Sequence, residues 1–138
     1  MSERTNKASD MFLGAYNCSQ AVLSAFCENY GMDTETAIKI ACGLGSGCRS
    51  ADICGAVSGA VLVIGLKYGA DTNACNSKTE EFLKIFADTN GDKVCRNLLG
   101  CDITTPDGRE KALSENLFKT RCLDLVCSAV TILGSLGY

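Results

Sequence analysis

Apolar residues recur at steps of three and four along most of the chain, and no segment alternates apolar and polar residues over a strand length. One stripe joins Cys18, Val22, Ala25 and Phe26, and a longer one runs over residues 118–136. A period near 3.6 residues is that of helices that turn one apolar face to a core. The pattern predicts an all-α protein, a compact bundle of about five to seven helices.

Capping residues indicate where these helices begin. Asn17 and Gln20 have the spacing of a capping box, and Ser77 and Glu80 repeat it. Glycines mark several helix ends. The other predicted limits are a first helix over 2–13, a helix capped by Asp33 or Thr34, a central helix from Asp52 to Tyr68, a short helix begun by Asp92, a turn at 106–108 and a last helix over about 109–136.

The segment around which we expect the bundle to form is residues 53–66, which is apolar and contains Gly55, Gly59 and Gly65. Each glycine inside a helix costs roughly 1 kcal/mol relative to alanine. Close approach by a neighbouring helix, or by an inorganic cofactor, would compensate for that cost. Cys54 lies at the start of the glycine-bearing flank. The loop that precedes it, residues 43–50, is expected to be flexible from its composition.

Size and charge narrow the possible functions. The 138 residues predict one domain over 1–138, and 13 basic against 16 acidic residues give a net charge of -3. Without a basic run, nucleic acid is not an expected partner. The longest apolar run, 53–66, is shorter than the ~20 residues of a membrane-spanning helix, so no membrane insertion is expected. The first ten residues lack the apolar core of a signal peptide, so a cytoplasmic location is predicted.

The chain has ten cysteines and no histidine. No two cysteines have the C-x-x-C spacing, which disfavours thioredoxin-like, zinc-ribbon and local ferredoxin motifs. The lack of histidine excludes imidazole ligands and Cys-His nucleophile pairs. Cytosolic thiols stay reduced unless they are catalytic, sensing or metal-bound, so ten cysteines point to chemistry. Burial of some of them as small hydrophobic residues is the simpler alternative.

Four cysteines fall on the apolar faces of four predicted helices: Cys18, Cys54, Cys95 and Cys122. Cys18 and Cys54 lie in a first helical turn, where the exposed N–H groups lower a thiol pKa, so we expect both to favour the thiolate form. Cys27, by contrast, is predicted to lie elsewhere on the surface.

Four blocks of the sequence resemble the C_GCAxxG_C_C family of redox-active proteins. The namesake block corresponds to Cys54-Gly-Ala-Val-Ser-Gly59, and Asn17-Cys-Ser-Gln-Ala-Val22 is similar to the family's N-terminal block. Residues 95–102 resemble the third block, and Arg121-Cys122 the last. The blocks occur in the family's order and together cover nearly the whole chain.

The resemblance implies a small helical domain whose four recurrent cysteines correspond to Cys18, Cys54, Cys95 and Cys122. A similar domain in split-Soret cytochromes is associated with an iron–sulfur centre. The resemblance therefore suggests that these four cysteines bind an iron–sulfur cluster, [2Fe–2S], in an electron-transfer module with an unknown redox partner protein. Cys42, Cys48 or Cys101 could replace one of the four ligands.

Three alternatives remain open at this stage. The same four thiolates could hold zinc. A thiol–disulfide protein without metal would use Cys54 as the low-pKa thiol, resolved by Cys48 or Cys18. The cysteines could also be purely structural. The sequence shows no pocket for general acid–base catalysis, so a stand-alone enzyme is less expected than an electron-transfer protein. The glycine-rich flank could also serve a homodimer.

Overall fold

The computed structural model describes residues 2–138 and contains eight α-helices in that range. They are α1 (Glu3–Leu13), α2 (Cys18–Phe26), α3 (Thr34–Ala41), α4 (Gly55–Tyr68), α5 (Thr72–Asn90), α6 (Cys95–Leu99), α7 (Pro106–Ser114) and α8 (Arg121–Ser135). Within these residues, strand-like pairing is limited to a single antiparallel bridge between Ile53 and Val94. The all-α class is thus confirmed, with one helix more than expected.

Helix α4 lies at the centre of the bundle and packs on α2, α5 and α8, while α1 covers α2 and α8. The main core contains fully buried aromatic and aliphatic side chains, among them Phe26, Phe82, Phe86, Ile64 and Leu133. A smaller second core gathers Cys95, Leu99, Ile103, Ala112 and Cys122. None of the helices formed by residues 2–138 has both the length and the apolarity to cross a bilayer.

The predicted close approach at the glycine flank of α4 is confirmed for two of its three glycines, and the neighbour is α2. A Cβ atom on Gly59 would lie 2.7 Å from the carbonyl oxygen of Ser19, and one on Gly55 would lie 3.0 Å from the Ser19 hydroxyl. That hydroxyl donates a 2.7 Å hydrogen bond to the carbonyl of Gly55. Gly65, however, has nothing within 4 Å of its would-be Cβ. Close packing therefore does not explain Gly65.

The first predicted capping box is confirmed at the start of α2. The Asn17 side chain accepts from the Gln20 N–H at 3.0 Å, and the Gln20 side chain accepts from the Asn17 N–H at 2.8 Å. Asp33 caps α3 by accepting from the Thr36 N–H at 2.7 Å. Both caps satisfy N–H groups that lack a partner inside the helix.

The second predicted capping box is wrong, because α5 begins earlier. Asp71 accepts from the Ala74 N–H at 3.1 Å and starts the helix at Thr72. Ser77 and Glu80 therefore lie inside α5, as does Cys75.

Two other predicted caps act elsewhere. The N-cap of α4 is Cys54 and not Asp52, whose carboxylate instead forms an ion pair with Arg96. Helix α6 begins at Cys95, after Val94, whereas Asp92 accepts from the N–H groups of the two residues that follow it. The carboxylates of Asp52 and Asp92 thus still accept hydrogen bonds, but each lies about one turn before the helix that it was predicted to cap.

The long last helix predicted over 109–136 is two helices. Thr105 accepts from the Gly108 N–H at 3.0 Å and Pro106 occupies the first helical position, so residues 106–108 form the first turn of α7. A proline suits that position because its fixed φ fits the helix and its missing N–H is not needed there. Asn116, with φ 57°, then turns the chain out of the helical path before α8 begins.

The loop over 43–50, which was expected to be flexible, contains two short helical turns, Cys42–Leu44 and Gly47–Ala51. Four consecutive residues, Ser46, Gly47, Cys48 and Arg49, have φ values of 54°, 62°, 56° and 60°. We call them the left-handed segment. For residues other than glycine this conformation costs roughly 1–2 kcal/mol each, and such strain often occurs beside functional sites. The Gly47 carbonyl accepts from the Asp52 N–H at 3.1 Å, which closes the turn.

Candidate functional site

The four cysteines singled out from the sequence line one cavity. This thiol cavity has a volume of about 240 Å³ and is bounded by Cys18, Cys54, Cys95 and Cys122. Cys54, Cys95 and Cys122 are buried and Cys18 is half-buried. The apolar part of the wall is formed by Phe12, Leu99, Ile103, Phe118 and Leu125. The fold thus brings together residues that are more than a hundred positions apart in the chain.

All four cysteines lie at the N-terminal end of a helix. Cys18 is the first residue of α2, Cys54 caps α4, Cys95 is the first residue of α6 and Cys122 is the second residue of α8. Helix N-termini expose N–H groups and the positive end of the helix dipole. The cavity therefore lies where four helix ends favour negative charge.

Backbone pairing holds Cys54 and Cys95 side by side. The N–H of Cys54 donates to the Lys93 carbonyl at 2.8 Å, and the N–H of Cys95 donates to the Asp52 carbonyl at 2.6 Å. The Arg96–Asp52 ion pair links the same two segments through side chains. These bonds form the isolated bridge described above, so two residues that are 41 positions apart in the sequence are fixed at adjacent points of the cavity wall.

Cys18 reaches the cavity because α2 and α4 approach closely at their N-terminal ends. A Cβ atom on Gly55 would lie 3.2 Å from the Cβ of Cys18. That is tighter than ordinary van der Waals contact. The absence of a side chain at Gly55 thus lets the first turn of α2 lie directly against the start of α4.

Arg121 fixes the start of α8, where Cys122 lies. Its guanidinium donates to the carbonyl of Asn90 at 2.8 Å and to the carbonyl of Leu98 at 3.3 Å. These carbonyls belong to the last turns of α5 and α6, where helices leave acceptors unpaired. One side chain therefore joins three helices around Cys122.

Burial raises the pKa of all four cavity thiols. The pKa of Cys18 is raised well above its usual value, first by burial and then by the neighbouring thiols, and that of Cys54 is raised by burial. Burial, with the charge of Cys54 next, raises the pKa of Cys95 and of Cys122 to about 12. The expectation that Cys18 and Cys54 favour the thiolate is therefore wrong for the chain without a bound metal.

The predicted effect of the helix end is nevertheless present at Cys54. The backbone N–H groups of Ala56 and Val57 lower the pKa of Cys54, as does the charge of Arg121. Loss of hydration outweighs them, so the net shift is upward. A cation that replaces the lost hydration would allow these same N–H groups to stabilise the thiolate.

The thiols surround the cavity and do not converge on one point. Among residues 2–138, no three side chains of the His, Cys, Asp and Glu types lie close enough together to hold a single metal ion. We expected the sulfur atoms to lie within bonding reach of one common centre. The structure supports the shared cavity but not that tighter convergence.

Cys101 is the additional cysteine most closely associated with the four. It is half-buried and packs against the second core, which contains Cys95 and Cys122. Its charge contributes to the raised pKa of both. It does not line the thiol cavity.

The remaining cysteines lie apart from the cavity wall. Cys27 was expected on the surface but is fully buried in the main core, so that prediction is wrong. Cys42 and Cys48 are exposed, and neither lines the thiol cavity. The last two, Cys75 and Cys127, are half-buried.

Sequence reasoning missed two cationic residues that also line the thiol cavity, Arg49 and Arg109. Arg49 belongs to the left-handed segment and Arg109 to α7. Each lies in a polar stretch that resembles ordinary solvated surface, so no local pattern distinguishes them.

Comparison with known proteins agrees with the four sequence blocks. The family model described as "Putative redox-active protein (C_GCAxxG_C_C)" matches residues 16–136, which contain all four cavity cysteines. No curated protein and no solved structure matches the chain. Because the family model covers nearly its whole length, this chain belongs to the C_GCAxxG_C_C family of redox-active proteins.

Proposed function

We propose that Cys18, Cys54, Cys95 and Cys122 bind an iron–sulfur cluster of the [2Fe–2S] type and that the protein is an electron-transfer module. The observation that carries the proposal is that four thiols from four helices line a single cavity. Cysteine thiolates are the usual ligands of such clusters. When bound, the cluster would accept and donate single electrons.

The environment of the thiols fits an anionic inorganic group. Four helix N-terminal ends meet at the cavity and favour negative charge. The backbone N–H groups of Ala56 and Val57 lower the pKa of Cys54, and hydrogen bonds from such groups to a ligating sulfur tune the potential of a cluster. Apolar side chains, among them Phe12, Leu99 and Phe118, form much of the cavity wall.

The spacing of the thiols supports a cluster over a single zinc ion. A structural zinc needs four sulfurs at about 2.3 Å from one point. The four cysteines instead line parts of one cavity of about 240 Å³, and among residues 2–138 no three of the potential ligands lie close enough together for one ion. A cluster has two irons and bridging sulfides, so its ligands are spread over a larger group than one ion.

The bare thiol–disulfide alternative has less support. It needs a low-pKa thiol with a resolving partner nearby. Burial raises the pKa of Cys54, and the proposed resolving residue Cys48 is exposed and does not line the cavity. Cys18 shares the cavity, but its pKa is raised still more clearly.

The direct test is iron and acid-labile sulfide analysis of protein purified without oxygen, with zinc measured in the same sample. We expect equal amounts of iron and sulfide, near two of each per chain, and a spectrum that bleaches on reduction. Stoichiometric zinc without sulfide would show that the protein holds a zinc ion and not a cluster. Protein that stays free of all three elements after reconstitution, yet shows a reversible two-electron thiol titration, would overturn the proposal.

Single cysteine-to-serine variants assign the ligands. We expect Cys54→Ser and Cys122→Ser to lose most of the cluster because each removes one thiolate. Cys127→Ser is the matched control, since it lies on α8, one helical turn and a half beyond Cys122, and does not line the cavity. Cys101→Ser tests whether Cys101 serves as a ligand in place of one of the four cysteines. We expect this variant to retain the cluster. If it lost the cluster while Cys122→Ser kept it, the ligand set would be wrong.

A further inference from the structure

A second recess adjoins the thiol cavity. We call it the mouth; it has a volume of about 330 Å³ and is lined by Ser46, Arg49, Ile103, Thr104 and Arg109. All of these except Thr104 also line the thiol cavity. The two spaces therefore share a wall, and a molecule in the mouth would lie next to the thiols.

The two arginines of the mouth lack acidic partners. In the part of the chain that the structure describes, the ion pairs are Lys39–Glu35, Lys78–Glu81, Lys84–Asp88 and Arg96–Asp52. Arg49 donates to the Ser46 hydroxyl at 3.3 Å, and the Arg109 guanidinium lies 5.6 Å from the centre of the Phe118 ring. A guanidinium has five N–H donors, so these contacts leave most of them available for a ligand.

The carboxylate that precedes the mouth residues Ile103 and Thr104 is already engaged. Asp102 accepts from both the N–H and the hydroxyl of Thr104, which lowers its pKa, and it lines neither recess. The chain as a whole has a net charge of -3. The mouth is thus lined by two cationic side chains and no carboxylate, since neither Asp107 nor Glu110, which flank Arg109 in sequence, lines it.

We propose that the mouth binds a small oxyanion between Arg49 and Arg109, in the form of a phosphate, a sulfate or the carboxylate of a small molecule. The planar guanidinium group matches the geometry of these oxyanions and can bind them through two parallel hydrogen bonds. Two guanidinium groups in one recess can therefore bind one anion from two sides. Ser46, which accepts from Arg49, can donate its own hydroxyl proton to the same anion. A concave recess accommodates a small molecule better than a flat protein surface.

This proposal goes beyond electron transfer through a cluster and does not depend on one. Its consequence is that an anionic small molecule would be held beside the thiol cavity, where a redox-active group could reach it. Because the mouth is formed by the protein alone, the binding can be measured on metal-free protein whose thiols are kept reduced. Failure of the cluster proposal would leave this result unaffected.

The experiment is an NMR titration of the metal-free, reduced chain at constant ionic strength. Inorganic phosphate, sulfate and acetate are added in separate series, with chloride as the reference salt. We expect saturable shifts of the side-chain N–H signals of Arg49 and Arg109 and of the Ser46 and Gly47 amides. The series with the tightest binding identifies which oxyanion the mouth prefers. Shifts spread evenly over surface lysines, without saturation at the arginines, would overturn the proposal.

Charge-removing variants locate the binding. We expect Arg109→Gln to weaken binding of the preferred oxyanion about tenfold, since a charge-assisted hydrogen bond is lost. Arg49→Asn should have a similar effect and suits the left-handed backbone, which asparagine tolerates. Lys111→Gln removes the same charge two positions from Arg109, outside the mouth, and should leave affinity unchanged. Equal affinity in all three variants would refute the site.

Discussion

Replacing Gly59 by alanine should force α2 and α4 apart. The new Cβ would lie 2.7 Å from the Ser19 carbonyl oxygen and 3.0 Å from the Ser19 Cα. Ordinary contact begins near 3.4 Å, so α2 would have to withdraw by about 0.7 Å. Both neighbouring atoms belong to the backbone of a buried helix, and a side-chain rotation cannot relieve the clash.

The magnitude follows from two opposing effects. Alanine gains up to about 1 kcal/mol over glycine inside a helix. Overpacking of a tight core contact costs about 1–3 kcal/mol. Gly65→Ala, on the same helix, gains the same propensity and meets nothing within 4 Å. The propensity therefore cancels between the two variants, and we expect Gly59→Ala to be less stable than Gly65→Ala by about 2 kcal/mol.

The assay is denaturant unfolding of the metal-free, reduced proteins, with the free energy of unfolding extrapolated to water. Gly65→Ala should exceed the wild type slightly, and Gly59→Ala should fall below it. The first turn of α2 carries Cys18, so Gly59→Ala should also retain less cluster after reconstitution. Equal stability of the two alanine variants would refute the close approach of α2 and α4.

Three further predictions concern the elements that surround the cavity. Because burial raises the pKa of Cys95 and Cys122 to about 12, the unfolded chain loses these two protons before the folded chain does as pH rises. The free energy of unfolding of the metal-free protein should therefore stay constant below about pH 8.5 and decline from there toward pH 12. The decline should be less steep in the variant that carries both Cys95→Ser and Cys122→Ser. Arg121→Gln should lower the free energy of unfolding in urea by about 1.5–3 kcal/mol, because two carbonyls at the ends of α5 and α6 lose a charged donor. A decrease below about 0.5 kcal/mol would show that this clamp, the pair of hydrogen bonds from Arg121, is unimportant. Asn17→Ala should cost about 1 kcal/mol by removing the N-cap of α2, whereas Asn17→Asp should restore most of it in the same measurement.

Local signals in the sequence were sufficient where one residue decides the outcome. The capping box at Asn17 appears in the structure as predicted, and Gly14 and Gly91 follow α1 and α5, in line with the expectation that glycines mark helix ends. Local sequence signals fail to predict helix limits where two of them compete. The box at Ser77 is overridden by Asp71, which offers an earlier cap. The last helix predicted over 109–136 is interrupted at Asn116, just before the apolar stripe over 118–136 begins.

The inward face of four helices could be read from helical phase, because side chains three and four apart lie on one side of a helix. Which helix ends meet depends on contacts between distant segments. The bridge of Ile53 with Val94 and the clamp of Arg121 have no counterpart in any local pattern. The thiol pKa values also escaped prediction, because the helix end is visible in the sequence whereas the burial that outweighs it is not.

The sequence by itself determined the helical class, the family and the four cysteines that face inward, since periodicity and spaced motifs are properties of the chain alone. Only the tertiary structure decided that these thiols share one cavity and that Arg49 and Arg109 stand at its mouth. The physical reason is that proximity between distant residues, and the desolvation that follows from it, arises only when the helices pack.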